Sequence, residues 1–187
     1  MITKIELADV PVLETDRLLL KKLSLNDAED IYEYAHEDEV TKYVIWNRHK
    51  SVGDSVEFIN YAAEEFRNGT SIVWGLEVKN ERKVIGTIDL RNFNNEHKCG
   101  EIGYCISKKY WNQGFTTEAL KAVINFGFER LYLNRLEAHC ELENIASWRV
   151  MEKAGMIYEG ILREKVLIKS KFRSMKMYSI LKSDYYK

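Results

Sequence analysis

The chain has 187 residues, 45% of them hydrophobic and 30% charged, which is enough apolar material to build the core of one ordinary domain spanning 1–187. A net charge of −1 argues against a nucleic-acid partner, and no apolar run approaches the ~20 residues that cross a bilayer, so no membrane partner is expected either. The acidic start lacks a secretory pattern, Cys99, Cys105 and Cys140 lack CxxC spacing and the four histidines are scattered, so a cytoplasmic protein with free thiols and no metal is expected.

In chain order, 17–23 (RLLLKKL) predicts a first strand, and Asn26 with Glu29 three residues later predicts a capped helix running to about Glu39. Ser51 and Asp54 predict the cap of a second helix, whose Val52, Val56, Ile59, Ala63 and Phe66 keep helical spacing until Asn68 and Gly69. Three strands follow at 71–78, 84–91 and 99–106, separated by polar turns, the pattern of an antiparallel meander. The spacing from Thr116 to Leu131 predicts a buried helix stopped at Asn134, followed by a short strand at 135–140. Asn144 as N-cap and Gly155 beyond the end bracket a last helix, and 157–168 with 175–181 predict a closing hairpin. The order β-α-α-β-β-β-α-β-α-β-β implies an α/β domain, a mixed sheet with helices on both faces.

Charge is unevenly spread, with thirteen cationic against nineteen acidic residues over 1–100 and fifteen against ten over 101–187. A cationic and an anionic partner could be served separately, or both halves are simply solvated faces of opposite bias.

Chemistry concentrates in 101–119 (EIGYCISKKYWNQGFTTEA), where a strand runs into a glycine-bearing loop that opens a helix. Helix-opening N–H groups lack intrahelical acceptors and sit at the positive end of the dipole, so Gly114, Thr116 and Thr117 offer an anion site, although one glycine before a helix is more often only a turn.

Taken together, EIGY, YWNQGFTTEAL and NIASWRVMEKAGM, in this order and spacing, resemble the GNAT acetyltransferases of the ribosomal-protein (RimJ/RimL-like) branch. The likeness extends over 13–182 and includes LETDRLLLKKLSLNDAEDIY, YEGILRE and MYSIL. It implies a sheet whose strands at 99–106 and 135–140 splay apart around the pantetheine arm of acetyl-CoA, with Tyr104, Ile106, Trp111, Gln113, Gly114, Phe115, Thr116, Thr117 and Asn144 as cofactor-binding residues. The family's pyrophosphate motif, Gln/Arg-x-x-Gly-x-Gly/Ala, is departed from at two places, where Trp111 and Thr116 stand.

By the same resemblance Glu101 is the candidate base, directly or through water, against a solvated strand carboxylate as the plainer reading. Ser147 is the candidate donor to the thiolate, because Met151 occupies the place of the usual tyrosine acid; the plainer reading is a first-turn serine. Cys105 shares a strand face with Glu101 and could form an acetyl-enzyme, but a free cysteine is usually a small core residue. Tyr43, Trp46, Trp74 and Phe93 read as core or substrate rim. The expected partner is an amine acceptor, either a protein N-terminus or a small molecule such as an antibiotic, with a homodimer as an open assembly. A non-catalytic acyl-CoA-binding module is the alternative from outside the enzymes.

Overall fold

The computed structural model describes residues 7–186. The strands are β1 (Leu13–Glu14), β2 (Leu18–Lys22), β3 (Ser71–Val78), β4 (Lys83–Asn94), β5 (Cys99–Ile106), β6 (Arg135–Glu141), β7 (Ile157–Ile168) and β8 (Lys171–Leu181), with period-two burial clearest in β4 and β6. They form one sheet in the order β1-β2-β3-β4-β5-β6-β8-β7, antiparallel everywhere except between β5 and β6. The helices are α1 (Ala28–Ala35), α2 (Asp38–Thr41), α3 (Val52–Asn68), α4 (Phe115–Glu129), α5 (Ile145–Lys153) and α6 (Lys182–Tyr185).

Central strand β3 is buried along almost its whole length because helices cover both faces of the sheet. On one face Ile31, Tyr34 and Ala35 of α1 and Ile59 and Ala62 of α3 pack on Leu23, Val73, Val84 and Cys105. On the other, Ala119, Leu120, Val123, Ile124 and Phe126 of α4 and Met151 of α5 pack on Leu20, Trp74, Ile88, Leu90, Ile102, Leu136 and Ala138. The Trp74 indole N–H donates to Pro11 O at 2.7 Å, tying the lead-in to the core.

The α/β class, the meander and the helices on both faces agree with the sequence reading. The first helix does not. Its cap is Ser24, not Asn26: the Asp27 carboxylate accepts from Ser24 N and Oγ at 2.8 and 2.9 Å, and a 3-10 turn at Leu25–Asp27 leads into α1. The helix also stops at His36, and α2 is a separate turn. Asn134 is no helix stop, since α4 ends at Glu129 and Asn134 N bonds Lys98 O at 2.6 Å in the approach to β6. The last strand starts at Lys171, and elements as short as β1, α2 and α6 carry too few residues to display a period. At the tip of the β7–β8 hairpin, Lys169 Nζ donates to Thr41 O at 2.8 Å, resting the hairpin on α2.

Asp27 is 5% exposed and also pairs with Lys21 at 2.8 Å, so its loss leaves the Ser24 cap unmatched and Lys21 with Glu77, at 2.9 Å, as its remaining partner. Asp27→Ala should lower unfolding free energy in urea by about 1–3 kcal/mol while keeping the fold.

Candidate active site

The β5–β6 pairing lasts for three residues, Cys99↔Arg135, Gly100↔Leu136 and Glu101↔Glu137. Beyond it β5 stays on β4 as far as Gly86↔Ile106, and β6 stays on β8 as far as Glu141↔Met175. The stretches 102–106 and 138–141 therefore face each other across an opening, with alternate main-chain groups lacking a ladder partner. Main-chain groups of this kind need acceptors and donors from elsewhere, which makes the opening a natural seat for an amide-bearing ligand.

Strand alternation puts Glu101, Gly103 and Cys105 on the α1–α3 side of the sheet. Glu101 is not a solvated carboxylate. Its side chain is 17% exposed and accepts from Arg91 Nη2 at 2.8 Å and Asn92 Nδ2 at 3.1 Å, while His139 Nδ1 of β6 lies 3.5 Å away. Arg91 reaches it as the direct partner of Glu101 in the β4–β5 register, and Asn92 lies in the irregularity between Arg91 and Asn94, with φ 53°. Arg91 also donates to Asp89 at 2.8 Å, and a Cβ on Gly103 would meet Arg91 Nη1 at 2.7 Å and Asp89 Oδ2 at 2.9 Å, so only glycine leaves this guanidinium its place.

Burial pushes the Glu101 carboxyl up, but Arg91, then His139, and the hydrogen bonds from Arg91 and Asn92 outweigh it and hold it below the usual carboxylate range. Asp89 goes the other way, because burial and the nearby Glu101 charge outweigh its share of Arg91. Burial keeps His139 below the ordinary imidazole value despite Glu101, so it is neutral at neutral pH.

On the opposite side of the sheet, Tyr104 of β5 reaches α5. Its hydroxyl lies 3.0 Å from Ser147 Oγ and donates to Ser147 O at 2.9 Å, and burial pushes its phenol far above the usual range. Asn144 Oδ1 accepts from Ser147 N at 3.2 Å, the expected cap. Met151 is 1% exposed, so a tyrosine in its place would have to displace core atoms. Cys105 is packed between the sheet and α1–α3, and burial pushes its thiol up to about 12, which removes it as a nucleophile at neutral pH.

Gly114 caps α4 with φ 84°, a left-handed conformation that disfavours side chains. The glycine is needed for this φ rather than to relieve crowding, since an added Cβ would meet only Arg17 Nη2, at 3.4 Å. The first helical bond runs from Glu118 N to Gly114 O, so the N–H groups of Phe115, Thr116 and Thr117 lie ahead of it at the positive end of the dipole. Thr116 and Thr117 are half-buried, whereas the Phe115 ring is buried and can offer a ligand only its main chain. Arg17 lies over that ring at 4.2 Å, donates to Gln113 O at 3.0 Å and pairs with Glu118 at 2.6 Å. The loop is fixed to β5 by Trp111 Nε1 donating to Ile106 O at 2.9 Å and to itself by Gln113 Nε2 donating to Lys109 O at 2.8 Å. Unsatisfied N–H groups beside an arginine suit a pyrophosphate.

The family model for the acetyltransferase (GNAT) domain matches residues 17–157. The chain belongs to the GNAT family of acetyltransferases. Among GNAT relatives it is 34% identical over 172 residues to the uncharacterized N-acetyltransferase YoaA of Bacillus subtilis (strain 168), covering 92% of this chain and 97% of YoaA. It also resembles p20 of Bacillus licheniformis, an uncharacterized N-acetyltransferase, at 33% identity over 92% of this chain and 97% of the relative. A crystal structure of a GNAT-family acetyltransferase from Bacillus anthracis superposes with a TM-score of 0.82 at 29% identity, covering 92% of this chain and 99% of that one. As a GNAT protein the chain is an acetyl-CoA-dependent acetyltransferase, and the opening, the α4 terminus and Arg17 fit a ligand with amides at one end and phosphates at the other.

Of the residues singled out from sequence, Tyr104, Asn144 and Ser147 form one group, Ile106 and Trp111 to Thr117 a second, and Glu101 stands apart on the other side of the sheet. Arg91, Asn92, His139 and Arg17 were not foreseen. His139 had a signal: Leu136, Ala138 and Cys140 are buried, so Arg135, Glu137 and His139 alternate onto the Glu101 side. Trp74 and Phe93 are core, and Trp46 packs beside α1 and α3. Part of the opposite charge of the two halves is spent between them, as Lys108 pairs with Glu39 and Lys109 with Glu33.

Arg91→Gln leaves Asp89 and Glu101 facing each other without their cation. The variant should lose about 2 kcal/mol at pH 7, a value reduced for the partial exposure of Arg91. Glu101, held low in the native state, contributes stability above its unfolded value that is lost as pH falls through its folded one. The difference between wild type and variant should therefore shrink below about pH 4.5 as the carboxylates protonate, as read by urea unfolding across pH.

Proposed function

We propose that this chain transfers the acetyl group of acetyl-CoA directly to a primary amine, with the α-amine of a protein N-terminus as the leading acceptor, in the manner of the RimJ/RimL-like branch and in the cytoplasm. The observation that carries this reading is the opening between β5 and β6, with Glu101 bordering it from one side of the sheet and Tyr104 with Ser147 from the other. Acetyl-CoA supplies the activated acyl thioester. The N–H groups of Phe115, Thr116 and Thr117, with Arg17, hold the pyrophosphate; the free edges of 102–106 and 138–141, with Asn144, hold the pantetheine amides.

Glu101, fixed by Arg91 and Asn92, supplies the negative charge beside which the amine's proton is taken up. Ser147 Oγ donates to the departing sulfur, and Tyr104 holds that hydroxyl in place. An α-amine, with a reference pKa of roughly 7.7–8.0, is appreciably neutral near pH 7, so a modest proton acceptor suffices.

Support for a protein acceptor includes the structural likeness to RimJ of Mycobacterium smegmatis in complex with CoA-disulfide (TM-score 0.86, 18% identity) and to the ribosomal-protein-S5-alanine acetyltransferase of Vibrio fischeri (TM-score 0.80, 19% identity). A second reading, a small polyamine, is favoured by a relative named spermidine N(1)-acetyltransferase from Vibrio cholerae, 22% identical over 90% of this chain and 95% of its own length. Free-thiol release from acetyl-CoA decides between them. Peptides beginning with Ala or Ser should turn over with kcat/KM at least about tenfold above spermidine, a difference of ~1.4 kcal/mol. The reverse order selects the polyamine, and no release with any amine sinks transfer itself.

For the pyrophosphate loop, Gly114→Val forces a β-branched residue into a left-handed conformation. CoA affinity by calorimetry should fall about tenfold or more in a folded protein, and an unchanged value removes the loop from the site.

For the thiolate donor, Ser147→Ala should lower kcat by about 10–100-fold with the dissociation constant for acetyl-CoA kept within about twofold. The helix cap survives, because Ser147 contributes only its main-chain N–H to Asn144. Equal loss of affinity and rate would make Ser147 a ground-state contact.

A further inference from the structure

The carboxylate that the family likeness singles out is poorly set up to receive a proton. Glu101 Oε1 already accepts from Arg91 and Oε2 from Asn92, and the cation beside it favours the ionised form. His139 has the complementary disposition. It stands on β6 two residues beyond Glu137, the last residue paired with β5, so it borders the opening where Gly103 would be its partner had the pairing continued. Its side chain is 18% exposed, and alternation puts it on the same side of the sheet as Glu101. Nδ1 faces Glu101 Oε1 at 3.5 Å, whereas Nε2 makes no hydrogen bond among the described residues.

We propose that His139 is the catalytic residue that takes the amine's proton at Nε2, and that Glu101 is the positioning residue that holds the ring with its proton on Nδ1. The proposal rests on the acetyl-transfer reading above. As the amine nitrogen bonds to the acyl carbon and the carbon–sulfur bond breaks, Nε2 accepts the nitrogen's surplus proton. The Ser147–Tyr104 pair supplies the proton taken up by the sulfur's electron pair and recovers one from water, to which His139 returns its own, so both groups are restored and the protons balance. Glu101 stabilises the imidazolium that forms, which a carboxylate does without being protonated itself.

The charged groups around the ring are Arg91 from β4, Glu101 from β5, Glu137 from its own strand and Lys165 from β7, while β8 presents Met177 as backbone neighbour. Burial acts first and keeps the ring neutral at neutral pH, Glu101 and Glu137 favour the cation, and Arg91 and Lys165 oppose it. A base neutral over the working range, with a cation-stabilising carboxylate behind it, is what proton uptake requires. Removing the Glu101 charge takes away the larger of the two carboxylate influences, leaves Glu137 alone against Arg91 and Lys165, and must move the imidazole further down.

The first test needs no acceptor. In nitrogen-15 spectra of the imidazoles, with His139 assigned by His139→Gln, wild type should carry its proton on Nδ1 and none on Nε2 at pH 7, and Glu101→Gln should shift the titration of His139 to lower pH. A ring that is charged at pH 7, or that does not respond to Glu101→Gln, overturns the dyad. The second test uses acetyl-CoA with a Ser-first peptide. His139→Gln should lower kcat about 100-fold and abolish the acid limb of its pH profile, with calorimetric affinity for acetyl-CoA unchanged, and added imidazole should restore part of the rate to His139→Ala. Wild-type kcat with the limb intact in a folded His139→Gln protein overturns the proposal. A wild type inert toward every amine defeats the acetyl-transfer reading instead, and the spectra still decide whether Glu101 orients His139.

Discussion

Three residue pairs of parallel ladder, ending at Glu101↔Glu137, set the geometry on which the rest depends. Had β5 and β6 remained paired to their ends, their main-chain groups would be satisfied and the sheet closed. Because each strand follows its antiparallel neighbour instead, the polar edges of 102–106 and 138–141 are left for a ligand. The antiparallel pairs are long and the helices behind them fully packed, so the opening is held by the rigid part of the fold rather than by loops.

Around that opening the side chains divide by strand parity. Odd positions of β5 carry Glu101, Gly103 and Cys105 on the side of α1 and α3; even positions carry Ile102, Tyr104 and Ile106 toward α4 and α5. The same parity in β6 separates Glu137 and His139 from Ala138 and Cys140. One guanidinium, Arg91, binds two carboxylates on the charged side and favours the ionised form of both; it prevails at Glu101, which is held low, whereas at Asp89 burial and the Glu101 charge outweigh it and the carboxyl is raised. A group that balances a network in this way is better at fixing charge than at exchanging protons, which is why the neighbouring imidazole matters to the chemistry.

Much of this was legible from sequence because it is written in period and spacing. Strands 71–78 and 99–106 and the helix following Ser51 are long, strongly patterned and locally capped, and their bounds agree closely with the structure. Asn144 as a cap and the helix opening at Gly114 were likewise local signals. The cap of the first helix was missed because Ser24 and Asp27 spell the same box as Asn26 and Glu29 two residues along, and only burial of Asp27 against Lys21 decides between them. The surroundings of Glu101 were not legible from local spacing: Arg91 arrives through the β4–β5 register, Asn92 through the irregularity next to it, and His139 through a parallel register across a helical crossover. Long-range pairings such as Arg17 with Glu118 leave no trace in local spacing.

The sheet is open between its central strands, so its two sides present different groups to the opening. Tyr104 and Ser147 line one, Glu101 and His139 the other, and Cys105 is sealed beneath α1 and α3. A donor and an acceptor that enter from opposite sides need not vacate the same space in turn. Both can be resident at once, in either order of arrival, and no covalent resting form of the protein has to bridge two half-reactions. In steady-state terms, reciprocal-rate lines should intersect rather than run parallel, a kinetic signature set by strand divergence and not by any single side chain.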